Sequence, residues 1–459
     1  MSVRSPVGTL SGGLVALTMA EGGLPLRVAW PPAESGGAGH EFTQGRRQRT
    51  EQMEKSRLEA YARLIVEKGL NLDPGQEVVV KAGLDQPEFV ELVVAECYRC
   101  GASKVQVEWE CMAVSRLHQL HQSEETLGRL EDWELAKLAW RAERLPAFLW
   151  LDSDDPDGMS GIDQGKRARA QMARFPKIKP YRDAMDNRYQ WCIAAVPGRR
   201  WAEKVFPRQR GEAAVEALWE AILACSRANG DPLANWERHN AEIHRRCEHL
   251  NALGLARLEY EAGNGTRFSV GLMPNGLFAG GDERDLSGRV FNPNIPSEEI
   301  FTTPRRGEAE GLVVSTKPLS WQGSLIDGFS LRFENGRVVE VHAREGQDAL
   351  ERMVAMDDGA AYLGECALIA HDSPISNTGL LFYNTLFDEN ASCHLALGLG
   401  FDNCVRNYEQ YSKDELHAFG VNDSMIHVDF MVGTDDMDIT GRTADGRAVP
   451  IFRRGAWCF

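Results

Sequence analysis

The run from Glu77 to Trp109 constrains the fold more than any other part of the chain. An Asp73-Pro74-Gly75 turn leads into Glu77-Val78-Val79-Val80-Lys81-Ala82, which reads as a buried strand. A helical stretch over residues 86–100 follows, then Gly101, then a second strand, Lys104-Val105-Gln106-Val107-Glu108-Trp109. Strand, helix and strand within about thirty residues require a parallel pair joined by a right-handed crossover. Residues 145–151 and 190–196 fit further strands of the same sheet. Ahead of them, Leu58, Tyr61, Leu64 and Ile65 recur at helical spacing, with Gly69 placed as a C-cap. The first half therefore reads as an open α/β domain with a mostly parallel sheet.

Two helices, over residues 211–227 and 231–253, close this half, the second opened by Asp231-Pro232. Beyond them the texture changes to short strands at 256–261, 267–272, 325–333 and 337–343. Glu334-Asn335-Gly336 between the last two is a hairpin signal. At 459 residues the chain exceeds what one ordinary core fills. We therefore expect two domains: an N-terminal α/β domain over 53–240 and a C-terminal, strand-rich α+β domain over 241–459 that carries the chemistry. Residues 1–52, rich in Gly, Pro, Ser and Arg, are expected to be a disordered leader or a mis-called start.

Charge removes some function classes. A formal net charge of −16 opposes binding to nucleic acid or to an anionic membrane surface. No apolar run is long enough for a membrane span. The ten cysteines are scattered, as free thiols in a reducing cytoplasm would be, and Cys97 and Cys100 read as helical neighbours.

The candidate chemistry lies late in the chain. His427-Val428-Asp429 sits in a strand-like run, and alternation puts His427 and Asp429 on one face. The pair suits a metal ion or, equally, a satisfied His–Asp contact at a sheet edge. His394 follows Asp388-Glu389-Asn390 and enters an apolar segment, where a structural histidine is the ordinary outcome. Glu365 is the single charge within residues 361–369, a costly place for an unpaired carboxylate. Glu298 and Glu299 follow Pro296-Ser297, where a plain turn would also explain them. No HExxH, phosphate loop or nucleophile elbow occurs. His118, His121, His239, His244 and His249 lie on helical stretches and compete as decoys.

Asn294-Ile295-Pro296-Ser297-Glu298-Glu299, Ser315-Thr316-Lys317-Pro318, Tyr362-Leu363-Gly364-Glu365, the run from Phe382 to His394 and His427-Val428-Asp429-Phe430-Met431 occur in this order. With them the chain resembles the aminopeptidase T (thermophilic aminopeptidase) family of dinuclear metallopeptidases from about Leu58 to the C-terminus. The resemblance implies metal ligands at Glu299, Glu365, His394, His427 and Asp429. They would hold two divalent ions per subunit, with zinc, cobalt or manganese all suitable. It further implies a homodimer that removes N-terminal residues from short peptides through a metal-activated water. One departure stands out: Phe401 occupies a position where family members carry tyrosine. A missing hydroxyl there would have to come from elsewhere, such as Tyr383, and Glu298 is the carboxylate we expect to move protons. Two rival readings are a mononuclear non-haem iron ring-cleaving dioxygenase using His394, His427 and Asp429, and a catalytically silent relative.

Overall fold

The structure, a computed structural model, describes residues 55–459, and the expectation for residues 1–52 lies outside them. Strand Glu77–Gly83 runs parallel to Lys104–Glu110, with helix Pro87–Arg99 crossing between them. Val78, Val79 and Val80 are all buried, as expected where helices cover both faces of a parallel sheet. Ala147–Asp152 and Trp191–Ala195 join on the other side, and the two-residue strand Asn294–Ile295 completes five parallel strands. The fifth strand comes from beyond residue 240, so chain from the second half finishes the sheet of the first.

One local expectation is corrected. Gly69 does not cap the first helix. The helix over 55–64 widens into a π turn, Ile65–Leu70, and ends on Asn71 in the left-handed region at φ 47°. Gly69 lies inside that turn, where a Cβ would stand 2.7 Å from Cys192 Sγ. Close packing on the sheet is what requires glycine there. The later helices Glu212–Cys225 and Pro232–Leu253 form where the sequence places them. Helix Gln164–Met185 was not anticipated. It contains Pro176 and Pro180 and buries only Ala170 and Met185, so neither propensity nor an apolar stripe marks it.

The second half builds, among the described residues, two large antiparallel sheets and a two-stranded one, Glu283–Arg284 with Val290–Phe291. The larger carries the hairpin Ser324–Glu334 and Arg337–Glu345, turning on Asn335 and Gly336 at φ 50° and 79°. The smaller has four strands in the order Ile300–Thr302, Leu363–Leu368, His394–Gly398, His427–Met431. The chain thus passes from the edge of the parallel sheet at Ile295 into the four-stranded sheet at Ile300 through only Pro296, Ser297, Glu298 and Glu299. Among the described residues no helix is long and apolar enough to cross a membrane.

Two loops are pinned between these layers. Around Ser297, the His239 ring N–H donates to the Ser297 carbonyl at 2.7 Å, and the Glu298 N–H donates to Asn390 Oδ1 at 2.7 Å. In the 382–391 segment, the buried Asp388 carboxylate accepts the N–H groups of Phe382 (2.9 Å) and Asn384 (3.1 Å). Phe382 and Phe387 stack at 4.6 Å and enter the core beneath the parallel sheet. The fully buried Trp201 ties the segment down by donating from Nε1 to the Phe382 carbonyl at 2.6 Å. Trp201→Phe keeps most of the apolar volume but leaves that carbonyl unpaired. We expect a loss of about 1–3 kcal/mol in equilibrium denaturation.

Candidate metal centre

Register in the four-stranded sheet assembles the site. Ala396 stands opposite Glu365 on one neighbouring strand and opposite Asp429 on the other, while Gly398 stands opposite His427. Strand alternation puts His394, Ala396 and Gly398 on one face, and Glu365, His427 and Asp429 with them. The middle strand therefore offers two small residues where its neighbours offer functional groups, which leaves open ground between them. Gly398 could not be larger: its φ is 106° and a Cβ would meet the Ile426 carbonyl at 2.0 Å. Glu299, just ahead of Ile300–Thr302, joins from the outer edge of the sheet.

The five side chains form two overlapping groups. Glu299, Glu365 and His394 make one, and Glu365, His427 and Asp429 the other; ligand atoms within each lie within 4.8 Å of one another. Glu365 belongs to both, with Oε1 3.9 Å from His394 Nε2 and Oε2 3.0 Å from His427 Nε2. Glu299 Oε2 is 3.4 Å from His394 Nε2, and Asp429 Oδ1 is 3.2 Å from His427 Nε2. Both imidazoles are oriented by backbone. His394 Nδ1 faces the Glu389 carbonyl at 2.8 Å and His427 Nδ1 the Leu399 carbonyl at 2.7 Å. A carbonyl only accepts, so each Nδ1 carries hydrogen and each Nε2 is aimed at the carboxylates, as in metal-ligating histidines.

Sequence reasoning missed Glu389. Its carboxyl is pushed well above the usual range by burial first, then by Asp429, Glu299 and Glu365. The visible signal was three polar residues, Asp388-Glu389-Asn390, set in an otherwise apolar run just ahead of His394. Burial likewise raises Glu365, partly offset by its hydrogen bond with His427. Burial would lower His394, but Glu299, Glu365 and Asp429 outweigh it and lift the ring to about 9. His427 is raised well above its ordinary value by Asp429 and Glu365 against the same burial, while Asp429, despite burial, is drawn down to about 2, chiefly by His427. Among the described residues no lysine or arginine pairs with any of these carboxylates. Asp429 Oδ1 is buried without a hydrogen bond. Four acids, two Nε2-presenting imidazoles and no cationic side chain are a donor set that fits divalent cations.

Not every expected residue joins the cluster. The Glu298 carboxylate is held by both terminal nitrogens of Arg227. Tyr383 has φ 55° and its ring lies under Lys204 Nζ at 4.8 Å; it shares a small cavity with Glu389 and Asp429. Phe401 does reach the site, its ring 4.9 Å from that of His427 and 5.3 Å from that of Phe301. The decoy histidines stand apart: His118 and His121 are exposed, His239 braces Ser297, His244 pairs with Asp282 at 3.2 Å and His249 packs on Phe459.

This acid–imidazole constellation, carried on an antiparallel sheet beside a parallel α/β layer, is a donor set of the kind that a metal-dependent hydrolase uses. Residues 54–457 match the model of the thermophilic metalloprotease family M29, and the chain belongs to that family. It is 41% identical over 405 residues to "Aminopeptidase AmpS" of Bacillus subtilis, covering 88% of this chain and 98% of that relative. It is 38% identical over 405 residues to "Aminopeptidase T" of Thermus thermophilus, with the same coverage. The solved structure "Wild-type AmpT from Thermus thermophilus" superposes with a TM-score of 0.81 at 37% identity, covering 88% of this chain and all of the other. The protein is thus a peptide hydrolase of the metalloaminopeptidase class, and the family implies a divalent metal.

Without metal, the raised imidazoles hold protons that an ion must displace. Metal uptake should therefore release protons and weaken as pH falls below about 9, where His394 charges. Calorimetric titration of metal-free protein in two buffers of different ionisation enthalpy measures this directly. Binding that releases no proton at pH 7 would contradict the site as described.

Proposed function

We propose that the protein removes N-terminal residues from short peptides at a two-metal site. Glu299, Glu365 and His394 would hold one ion, and Glu365, His427 and Asp429 the other, with Glu365 between them. The observation that carries this reading is the membership of Glu365 in both ligand groups, one oxygen toward each histidine. Bound divalent ions would supply a water of lowered pKa and polarisation of the scissile carbonyl.

The rest falls to the chain. The Glu389 and Leu399 carbonyls hold the two imidazoles in one tautomer. With Glu298 engaged by Arg227, we assign proton transfer to Glu389, whose carboxyl, raised first by desolvation and then by its acidic neighbours, is able to take a proton and return it to a leaving amine. Tyr383 and Asn384 border the same small cavity, and Tyr383 is the hydroxyl we propose in place of the one Phe401 lacks. Cavities of about 560 and 360 Å³ reach His427, a scale that suits short peptides. A single-iron site on His394, His427 and Asp429 would leave Glu299 and Glu365 buried beside it without a role, which favours the two-metal reading.

All ten cysteines are free, which supports residence in the reducing cytoplasm. Val114, Leu117 and Leu120 leave an apolar stripe exposed on helix Met112–His121, and we propose that a second copy of the chain covers it in a homodimer.

Glu365→Gln should fold, with an unchanged circular dichroism spectrum, yet lose peptidase activity by roughly a thousandfold or more. Metal analysis of the wild-type protein after chelation and add-back of zinc, cobalt or manganese should give two ions per chain. One ion per chain, or near-normal turnover by Glu365→Gln, would overturn the reading.

A further inference from the structure

Two cavities meet at His427, and their charges differ. The larger is bounded by Arg174 and Arg182 of helix Gln164–Met185 together with Leu319, Trp321 and Asp429. Asp429 apart, its charged groups are cationic; Arg174 pairs with Glu134 at 2.7 Å, and Arg182 borders the smaller cavity as well. The smaller runs past Phe401 and His427 to Glu283, between the aromatic walls of Tyr189 and Trp191. It also holds Arg182 and three aspartates, Asp183, Asp186 and Asp402, each of which has a lysine partner. Lys413 pairs with Asp186 at 2.5 Å and Asp402 at 2.8 Å, and Lys179 with Asp183 at 3.2 Å. Among the described residues Glu283 makes no ion pair. It is partly buried, and burial, then Glu299 and Asp186, push its carboxyl up to about 7.

A peptide whose first bond lies at His427 must direct its amino end into one cavity and the remaining chain into the other. The larger cavity offers an ammonium no acid but Asp429. The smaller offers an unmatched acid and aromatic walls. Resting on the peptidase reading above, we propose that the smaller cavity is the subsite for the N-terminal residue, with Glu283 as the receptor for its free α-ammonium. The substrates would be peptides beginning with a bulky apolar residue. Glu283 then confers the exopeptidase restriction: a blocked or internal nitrogen carries no charge and leaves the acid buried without a partner.

The test compares wild-type and Glu283→Gln enzymes, both fully loaded with metal. With leucine p-nitroanilide, Glu283→Gln should raise KM about tenfold or more while kcat changes little. As competitive inhibitors, 3-methylbutan-1-amine and 3-methylbutan-1-ol differ only in the charged nitrogen. The variant should lose at least tenfold in affinity for the amine and nothing for the alcohol, with metal content and melting temperature unchanged. An undiminished preference for the amine would overturn the proposal, since the amine would then bind elsewhere. So would loss of metal from the variant, which would mark Glu283 as a support of the metal centre. Should Glu283→Gln fail to fold, Glu283→Asp serves instead, and a severalfold loss confined to the amine is the expected result. If the wild-type enzyme hydrolyses no aminoacyl anilide, the peptidase reading has failed, and binding of the two inhibitors by calorimetry still reports on Glu283.

Discussion

Three buried carboxylates, Glu299, Glu365 and Asp429, and the partly buried Glu389 face one another across the end of a small antiparallel sheet, and the surrounding structure is organised to keep them there. Two like charges about 4 Å apart repel by ~4 kcal/mol at the effective dielectric of a protein site. A few such pairs rival the whole stability of a domain, about 5–15 kcal/mol. Among the described residues no arginine or lysine relieves the repulsion at Glu299, Glu365, Asp429 or Glu389. The remaining relief is protons on the two imidazoles and on the raised carboxyls, or divalent ions in their place. Retaining the acids despite this cost is what distinguishes a metal centre from a structural His–Asp contact, the ambiguity that spacing alone could not break.

Such a cluster requires rigid supports, and both sheets provide them. The parallel sheet ends in Ile295, four residues short of the four-stranded sheet, so Glu299 has little freedom. Asn390 and His239 remove more of it through Glu298 and Ser297. The Asp388 loop is fixed by its own carboxylate, by paired phenylalanines and by Trp201 from beside the fourth parallel strand. Residue types chosen for packing in one layer thereby place functional oxygens in the other. Glu298 illustrates the difference between neighbours in sequence and neighbours in space: one residue from Glu299, its carboxylate is spent on Arg227.

What was legible in the sequence follows from which signals are local. The β–α–β run, the Asn335-Gly336 hairpin and the alternation of His427 with Asp429 are short-range patterns, and the structure carries each of them. Helix Gln164–Met185 gave no such pattern because two prolines interrupt it and its exposed, basic surface has no apolar stripe. Gly69 was misread for a related reason: a glycine at a helix end signals a cap, and only the Cys192 thiol across the sheet reveals that it answers to packing. Glu389 and Glu283 were invisible as site residues because their meaning depends on what lies across the cluster or along the cavity. Resemblance to a known family brought Glu299, Glu365 and the histidines into one set; spacing could not, because Glu299 and Asp429 are 130 positions apart.

The two ligand groups are unequal in access, and that inequality gives the site a direction. His394 is 1% exposed and shut in by Glu299 and Glu365, whereas His427 is 23% exposed and borders both cavities. A substrate therefore meets the His427 side first and leaves the His394 side as a buried anchor. Phe401 stands on the open side, against the His427 ring, so a hydroxyl missing there is missing where substrate arrives. The same opening lies between an arginine-lined cavity and one that ends in an unmatched glutamate. Glu283, without an ion pair among the described residues, lines one of these cavities and Arg174 only the other, so the proposed orientation sends the amino end of a peptide and its remaining chain to opposite sides of His427.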